Sequence, residues 1–359
     1  MSTEKKQREG KKAELIDAYG RTMDYLRLSI TDRCNLHCLY CRPGDPYVES
    51  NAKTAGDSRR DWAAALSVEE ILRLCRIFAQ LGIATIKVTG GEPLLRPGAV
   101  ELIGRLKGLE GIGKVTLTTN GLLLGEAVDE LAAAGVDGIN VSVDTFVPQR
   151  YAKITGLKNG EMALKIVWDG IHLAMDRGIP LKINTVLMPG INGEELERFV
   201  RLAAKQPLSV RFIEMMPMGE GSRFRTVPTG DLLKRIGEKT PGFHQIADNL
   251  GNGPAEYYRG EGWKGQVGVI HAVTQPFCSG CNRIRMTADG KLRLCLAHED
   301  GIDLGQMVRD KQTDQEIREA IIRAVKRKPA RHGFGSCGES GSGASCADSG
   351  QRAMWRIGG

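Results

Sequence analysis

The sequence predicts an α/β protein in which a parallel sheet covered by helices is followed by a smaller α+β domain. Three observations predict it. Apolar runs rich in Val, Ile, Leu and Thr alternate with helical stretches from Leu26 to Ile213, the pattern changes after about residue 240, and 359 residues exceed the roughly 100 to 200 usual for one domain.

Residues 1–23 are charged and lack an apolar rhythm, so they are expected to form a flexible arm ahead of a first domain over 24–240. Within that domain the strand candidates are Leu26–Ile30, Thr85–Thr89, Lys114–Thr119, Gly138–Val143, Leu181–Leu187 and Val210–Ile213. The clearest helix is Val68–Leu81, where Ser67 and Glu70 have the spacing of a capping box and Gly82 offers a stop. Six strand–helix units in a row imply parallel strands with helices outside, either an open doubly wound sheet or an incompletely closed barrel of the TIM type. Periodicity does not choose between them. In both, chemistry belongs at the C-terminal ends of the strands.

A second domain is expected over 241–330, with a strand at Gln266–His271 and a hairpin over Arg283–Leu296 turning at Asp289-Gly290. Residues 331–359 are rich in Gly and Ser and read as a flexible tail ending in Gly358-Gly359.

Composition narrows the function class. With 41% hydrophobic and 26% charged residues the chain is neither disordered nor fibrous. No run approaches the ~18 apolar residues of a membrane span and no signal-like segment opens the chain, so a cytoplasmic location is expected. The net charge of +7 is spread out apart from Lys326, Arg327, Lys328 and Arg331, a pattern suited to an anionic small molecule rather than a long nucleic acid.

Six of the nine cysteines form two groups, Cys34-x3-Cys38-x2-Cys41 and Cys278-x2-Cys281-x13-Cys295. In a reducing compartment such grouping points to metal. The first follows a strand and so lies at the C-terminal mouth. Three thiolates leave a structural zinc one ligand short, a place His37 could fill; alternatively they hold a four-iron cluster and leave one iron open. The second group has the same ambiguity. Cys75, inside the first helix, reads as a small buried hydrophobe. Thr118 with Asn120, Ser142 with Asp144, and Lys182 with Asn184 put polar side chains at later strand ends, as helix caps or as part of a site.

The run Arg27-x6-Cys34-Asn35-Leu36-x-Cys38-x-Tyr40-Cys41, joined by Thr89-Gly90-Gly91-Glu92-Pro93, resembles the signature of the radical S-adenosylmethionine enzymes. That family implies an open iron that chelates S-adenosylmethionine, cleavage to a 5'-deoxyadenosyl radical, and glycines that let backbone approach the cofactor. The second cysteine group, Asn282-Arg283-Ile284-Arg285 and the terminal glycines resemble the branch that cyclises GTP at the start of molybdenum cofactor biosynthesis, over roughly residues 20–330 and the last few.

The resemblance implies an incomplete (β/α)6 TIM-type barrel and a C-terminal α+β domain with a second [4Fe-4S] cluster. It assigns Cys34, Cys38 and Cys41 to one cluster and Cys278, Cys281 and Cys295 to the other. Tyr40, Gly91, Ser142 and Met216 would contact S-adenosylmethionine, and Arg27, Lys87, Thr118, Lys182, Arg283, Ile284 and Arg285 would contact GTP. Gly358 and Gly359 would enter the active site. It further implies a reductant such as flavodoxin or ferredoxin, hand-over of product to the cyclic pyranopterin monophosphate synthase, and a homodimer. Lys87 departs from the branch, which usually has an arginine there, and loses the bidentate fork. Residues 44–61 carry no readable motif, and Cys337 and Cys346 match nothing in the branch, which leaves them as expected free thiols. Two alternatives remain open at this point: a radical peptide-modifying enzyme with an auxiliary cluster, and a zinc-ribbon protein that contacts nucleic acid through Arg283, Arg285 and the basic run.

Overall fold

The computed structural model describes residues 14–41, 65–225, 227–246 and 253–334. Strands β1 (Tyr25–Ser29), β2 (Thr85–Thr89), β3 (Lys114–Thr119), β4 (Ile139–Ser142), β5 (Leu181–Thr185) and β6 (Ser209–Ile213) pair in that order, all parallel. β3 and β5 alternate between buried and half-buried residues. In β3, Val115, Leu117 and Thr119 are buried beneath helices, whereas Thr116 and Thr118 line the inner face.

The covering helices are α1 (Val68–Gln80), α2 (Ala99–Lys107), α3 (Leu124–Ala133), α4 (Pro148–Thr155), α5 (Gly160–Asp176), α6 (Leu196–Lys205) and α7 (Thr229–Lys239). The capping box of α1 forms as its sequence requires, with Glu70 N donating to Ser67 Oγ at 3.2 Å and Ser67 N to Glu70 Oε2 at 2.7 Å. Its apolar stripe, from Ile71 to Phe78, is buried and includes Cys75, whose thiol is pushed up to about 12 by burial. No helix among the described residues is long and apolar enough to cross a membrane.

The strands after β6 join the same sheet. They are β7 (His244–Ile246), β8 (Glu256–Arg259), β9 (Gln266–Ile270), β10 (Arg283–Met286), β11 (Lys291–Arg293) and β12 (Gly301–Asp303), accompanied by α8 (Leu304–Arg309) and α9 (Asp314–Val325). The sheet order is β12-β11-β10-β1-β2-β3-β4-β5-β6-β9-β8-β7. β1 and β6 do not pair with each other, so each would present a row of open N–H and C=O groups. β10 and β9 satisfy those edges by parallel pairing, and the chain after β6 thereby flanks the interior from both sides. The hairpin foreseen around Asp289-Gly290 is β10–β11, with Gly290 at φ +90.

Residues 14–23 fold back, Met23 N donating to Leu15 O at 2.7 Å, and bury both side chains. Arg21 fixes the segment: its Nε pairs with Asp17 Oδ2 at 2.5 Å, and its terminal nitrogens donate to the carbonyls of Cys278, Pro329 and Ala330. Gly358, Gly359, Cys337, Cys346 and residues 44–61 lie outside the described residues.

Candidate active site

The first cysteine loop runs from the end of β1 and is pinned on three sides. His37 N and Leu39 N each donate at 2.9 Å to the last turn of α4, through Thr155 O and Ile154 O. Gly91 N donates to Thr31 O at 2.8 Å and Glu92 N to Arg33 O at 2.7 Å, laying the Gly90-Gly91 segment directly on the cysteine loop. A Cβ at Gly90 would stand 2.6 Å from Thr31 O, and one at Gly91 closer still to the Arg33 carbonyl. The structural demand for these glycines is therefore the contact between the two loops, a reason that spacing alone did not indicate.

Glu92 is wholly buried, and burial pushes its carboxyl up to about 7. It accepts hydrogen bonds from Leu94 N, Thr119 Oγ1 and Asn120 N at 2.7–3.0 Å, joining the end of β2 to that of β3. Asn120 is thereby aimed at the loop, where its Nδ2 donates to Asn35 Oδ1 at 2.7 Å and contacts Cys34 Sγ at 3.9 Å. Leu36 N donates to the same sulfur at 3.4 Å.

Burial first, then the neighbouring Cys41, Asp144 and Cys34, push the Cys38 thiol well up. Thiols so placed ionise when a bound cation offsets their charge, and N–H donors aimed at sulfur are what a metal-bound thiolate accepts. The donor set fits a metal cluster. A Cβ at Gly156 would stand 2.9 Å from the His37 Cβ, so this glycine lets the cysteine loop lie against the end of α4.

Across the mouth, Tyr40 Oη donates to Asp144 Oδ2 at 2.6 Å, and Val186 N to Asp144 Oδ1 at 2.8 Å. Ser142, half-buried, stands in register with Asn184 on β5. Met215 packs with Ile154 and Met188 beneath Tyr40, so Met216 is left half-buried outside that cluster.

The interior below the mouth is basic. Arg285, Arg27 and Lys87 lie in direct register on three adjacent strands, followed by Thr116. Burial, then Arg211, Arg27, Lys182 and Arg283, hold the Lys87 ammonium well below its ordinary range. Lys182 falls to about 7 through burial and the charges of Arg211 and Lys114, and its ammonium stands 5.7 Å over the Tyr257 ring. Arg211, which the sequence analysis did not single out, is held by Asn184 Oδ1 at 2.9 Å and Asn140 Oδ1 at 2.6 Å. It shares a strand face with Ser209 and Ile213, a period-two signal that could have exposed it. Asn140 also donates to Thr118 Oγ1 at 3.2 Å.

Lys87, Thr116, Asn140, Lys182, Arg211 and Tyr257 share one cavity. Thr116 Oγ1 and Arg283 Nε are buried without a hydrogen-bond partner, as expected where a polar ligand belongs. The Ile284 side chain is fully buried, on the strand face opposite Arg283 and Arg285.

Cys278 and Cys281 flank a short turn, and the β10–β11 hairpin returns Cys295 to them. Burial raises Cys281, but Lys328, the Arg283 amide and the Arg283 and Arg21 guanidinium groups outweigh it and leave the thiol below its usual range. Burial raises Cys295. Arg285 and Lys328 are 8% and 3% exposed, which removes them from any nucleic-acid-binding surface.

Residues 28–203 match the model of the Radical SAM superfamily, and residues 208–334 that of Molybdenum Cofactor Synthesis C. A GTP 3',8-cyclase of Peptoclostridium acidaminophilum is 41% identical over 322 residues, spanning 89% of this chain and 94% of the relative. Another from Syntrophomonas wolfei is 39% identical over 351 residues, spanning 96% of this chain and all of the relative. Streptococcus suis SuiB bound to S-adenosylmethionine superposes with a TM-score of 0.54 at 15% identity, over 84% of this chain and 69% of that one, a likeness of fold.

Proposed function

The chain belongs to the GTP 3',8-cyclase family of radical S-adenosylmethionine enzymes, and on that premise we propose that GTP occupies the basic interior between two cysteine-bound clusters. The protein is a radical enzyme that cyclises GTP in molybdenum cofactor biosynthesis, and its family implies S-adenosylmethionine and a [4Fe-4S] cluster. The sheet reads as an incomplete (β/α)6 TIM-type barrel whose open sides are filled by the C-terminal strands. When bound, the cluster and S-adenosylmethionine would supply radical chemistry for abstracting hydrogen from the nucleotide, while the chain's own basic residues bind and orient GTP.

The observation that carries the reading is the direct register of Arg285, Arg27 and Lys87 on adjacent strands, beside a cavity that Lys87, Lys182 and Arg211 line. A triphosphate is the common ligand that offsets so many buried cations. Arg27 and Arg285 offer forks to phosphate oxygens, Lys87 and Lys182 point charges, and Asn140 and Asn184 hold Arg211 in place. Thr118 and Arg283 complete the set. Cys34, Cys38 and Cys41 hold the first cluster, and Tyr40, Gly91, Ser142 and Met216 contact S-adenosylmethionine. Cys278, Cys281 and Cys295 hold a second cluster that anchors guanine, and Gly358 and Gly359 take part in catalysis. A flavodoxin or ferredoxin supplies electrons to a homodimer, and the product, (8S)-3',8-cyclo-7,8-dihydroguanosine 5'-triphosphate, passes to the cyclic pyranopterin monophosphate synthase.

The test is anaerobic reconstitution with iron and sulfide, then incubation with GTP, S-adenosylmethionine and dithionite. A cyclised nucleoside triphosphate is expected. Cleavage of S-adenosylmethionine with unaltered bound GTP would overturn the reading.

A further inference from the structure

Lys328 follows α9 in a run of basic residues, yet it is 3% exposed. Its Nζ donates to the Arg283 carbonyl at 2.9 Å and to the Leu294 carbonyl. These acceptors lie two residues after Cys281 and one before Cys295, on the two limbs that the hairpin brings together. The ammonium also hydrogen-bonds the Cys281 thiol and acts on Cys295. A buried ammonium is costly unless its donors are satisfied, and here backbone carbonyls and thiols satisfy it. Arg21 makes the corresponding contact to the Cys278 carbonyl from the N-terminal segment.

We propose that Lys328 is a positioning residue for the second cysteine triad, clamping the limbs of Cys281 and Cys295 and biasing the group bound there toward its reduced state. The inference rests on the reading of that triad as an iron–sulfur site. A reduced cluster carries one more negative charge, and a fixed cation in a poorly solvated site favours it. Lysine suits the task because its ammonium is a compact point charge with three donors, matching two carbonyls and a sulfur.

The full-length chain with Cys34→Ala, Cys38→Ala and Cys41→Ala isolates the second site for measurement. After anaerobic reconstitution, iron and sulfide are counted and the potential is titrated by electron paramagnetic resonance, with Lys328 intact, as Lys328→Gln and as Lys328→Arg. Glutamine keeps donors and drops the charge, whereas arginine keeps the charge. The expected result for Lys328→Gln is a reduction equilibrium about tenfold less favourable, ~59 mV lower for one electron, with Lys328→Arg close to the parent. Iron lost in Lys328→Gln but kept in Lys328→Arg supports the same role. An unchanged potential in Lys328→Gln overturns it, as does equal iron loss in both variants. If the parent with Lys328 intact binds no iron, the cluster reading falls and the proposal with it.

Discussion

Tyr40 and Asp144, 104 positions apart, meet in a 2.6 Å hydrogen bond that ties the cysteine loop to the end of β4. Asp144 takes a second bond from Val186 N, so one carboxylate sets the loops after β1, β4 and β5 relative to one another. Tyr40 then lies over Met215 and Ile154 as a wall of the proposed cofactor site. Asp144→Ala should weaken S-adenosylmethionine binding about tenfold, the consequence of losing a bond of about 1.5 kcal/mol to a charged group. Asp144→Asn should cost less, since its Oδ1 still accepts from Val186. Equilibrium binding to the reconstituted protein checks this, and full affinity in Asp144→Ala would refute it.

The two triads should separate by function. Replacing Cys34, Cys38 or Cys41 by Ala should abolish cleavage of S-adenosylmethionine. Replacing Cys278, Cys281 or Cys295 should spare uncoupled cleavage and remove the cyclised product. Chromatographic assay of 5'-deoxyadenosine beside the nucleotide product reads both, and normal product from the second set would sink the assignment.

The pKa of Lys182, lowered to about 7 by burial, Arg211 and Lys114, predicts a proton-linked affinity. A depressed lysine contributes stability above its unfolded range, and that contribution is lost as pH falls through about 7. A bound polyanion restores the charged form, so binding takes up a proton above that pH and GTP affinity falls as pH rises further. Titration calorimetry in buffers of different ionisation enthalpy should show the uptake in the parent and its loss in Lys182→Arg. Equal proton uptake in the variant would place the linkage elsewhere.

Phosphate recognition should follow the register on β10, β1 and β2. Arg285→Ala should weaken GTP by about 10- to 100-fold, the range for a charge-assisted hydrogen bond, and guanosine far less. Lys87→Arg restores the fork usual in the branch and should tighten GTP severalfold. Parallel losses for GTP and guanosine in Arg285→Ala would point to a general disturbance of the site.

Gly91→Ala tests the contact between loops. The new methyl would collide with the Arg33 carbonyl, and backbone cannot yield as a flexible side chain would. Reconstituted iron at the first triad should fall sharply while the second triad loads normally. Full loading of both would show that the loops have slack.

Much of this protein was legible in its sequence because the relevant signals are local. Alternating apolar strands, the Ser67–Glu70 cap and the spacing of Cys34, Cys38 and Cys41 each depend on neighbours in the chain, and β2 and β3 form at the bounds read from the sequence. Arg283 and Arg285 share a face because a strand has period two.

What only the tertiary structure decided involves partners far apart in sequence. Nothing near residue 240 announces that later strands will complete the edges of β1 and β6, because an unpaired edge exists only once the sheet has formed. Gly90 and Gly91 are constrained by the backbone of Thr31 and Arg33, some 60 residues earlier. Arg211 belongs to the basic interior through Asn140 and Asn184, on two other strands. Lys328 looks in sequence like one of several solvated surface cations; two carbonyls and a thiol that reach it only through folding make it a buried part of the second cysteine site. Local spacing determined which chemical groups this chain carries, and long-range packing decided which of them share a site, because burial and charge depend on distances that chain order does not encode.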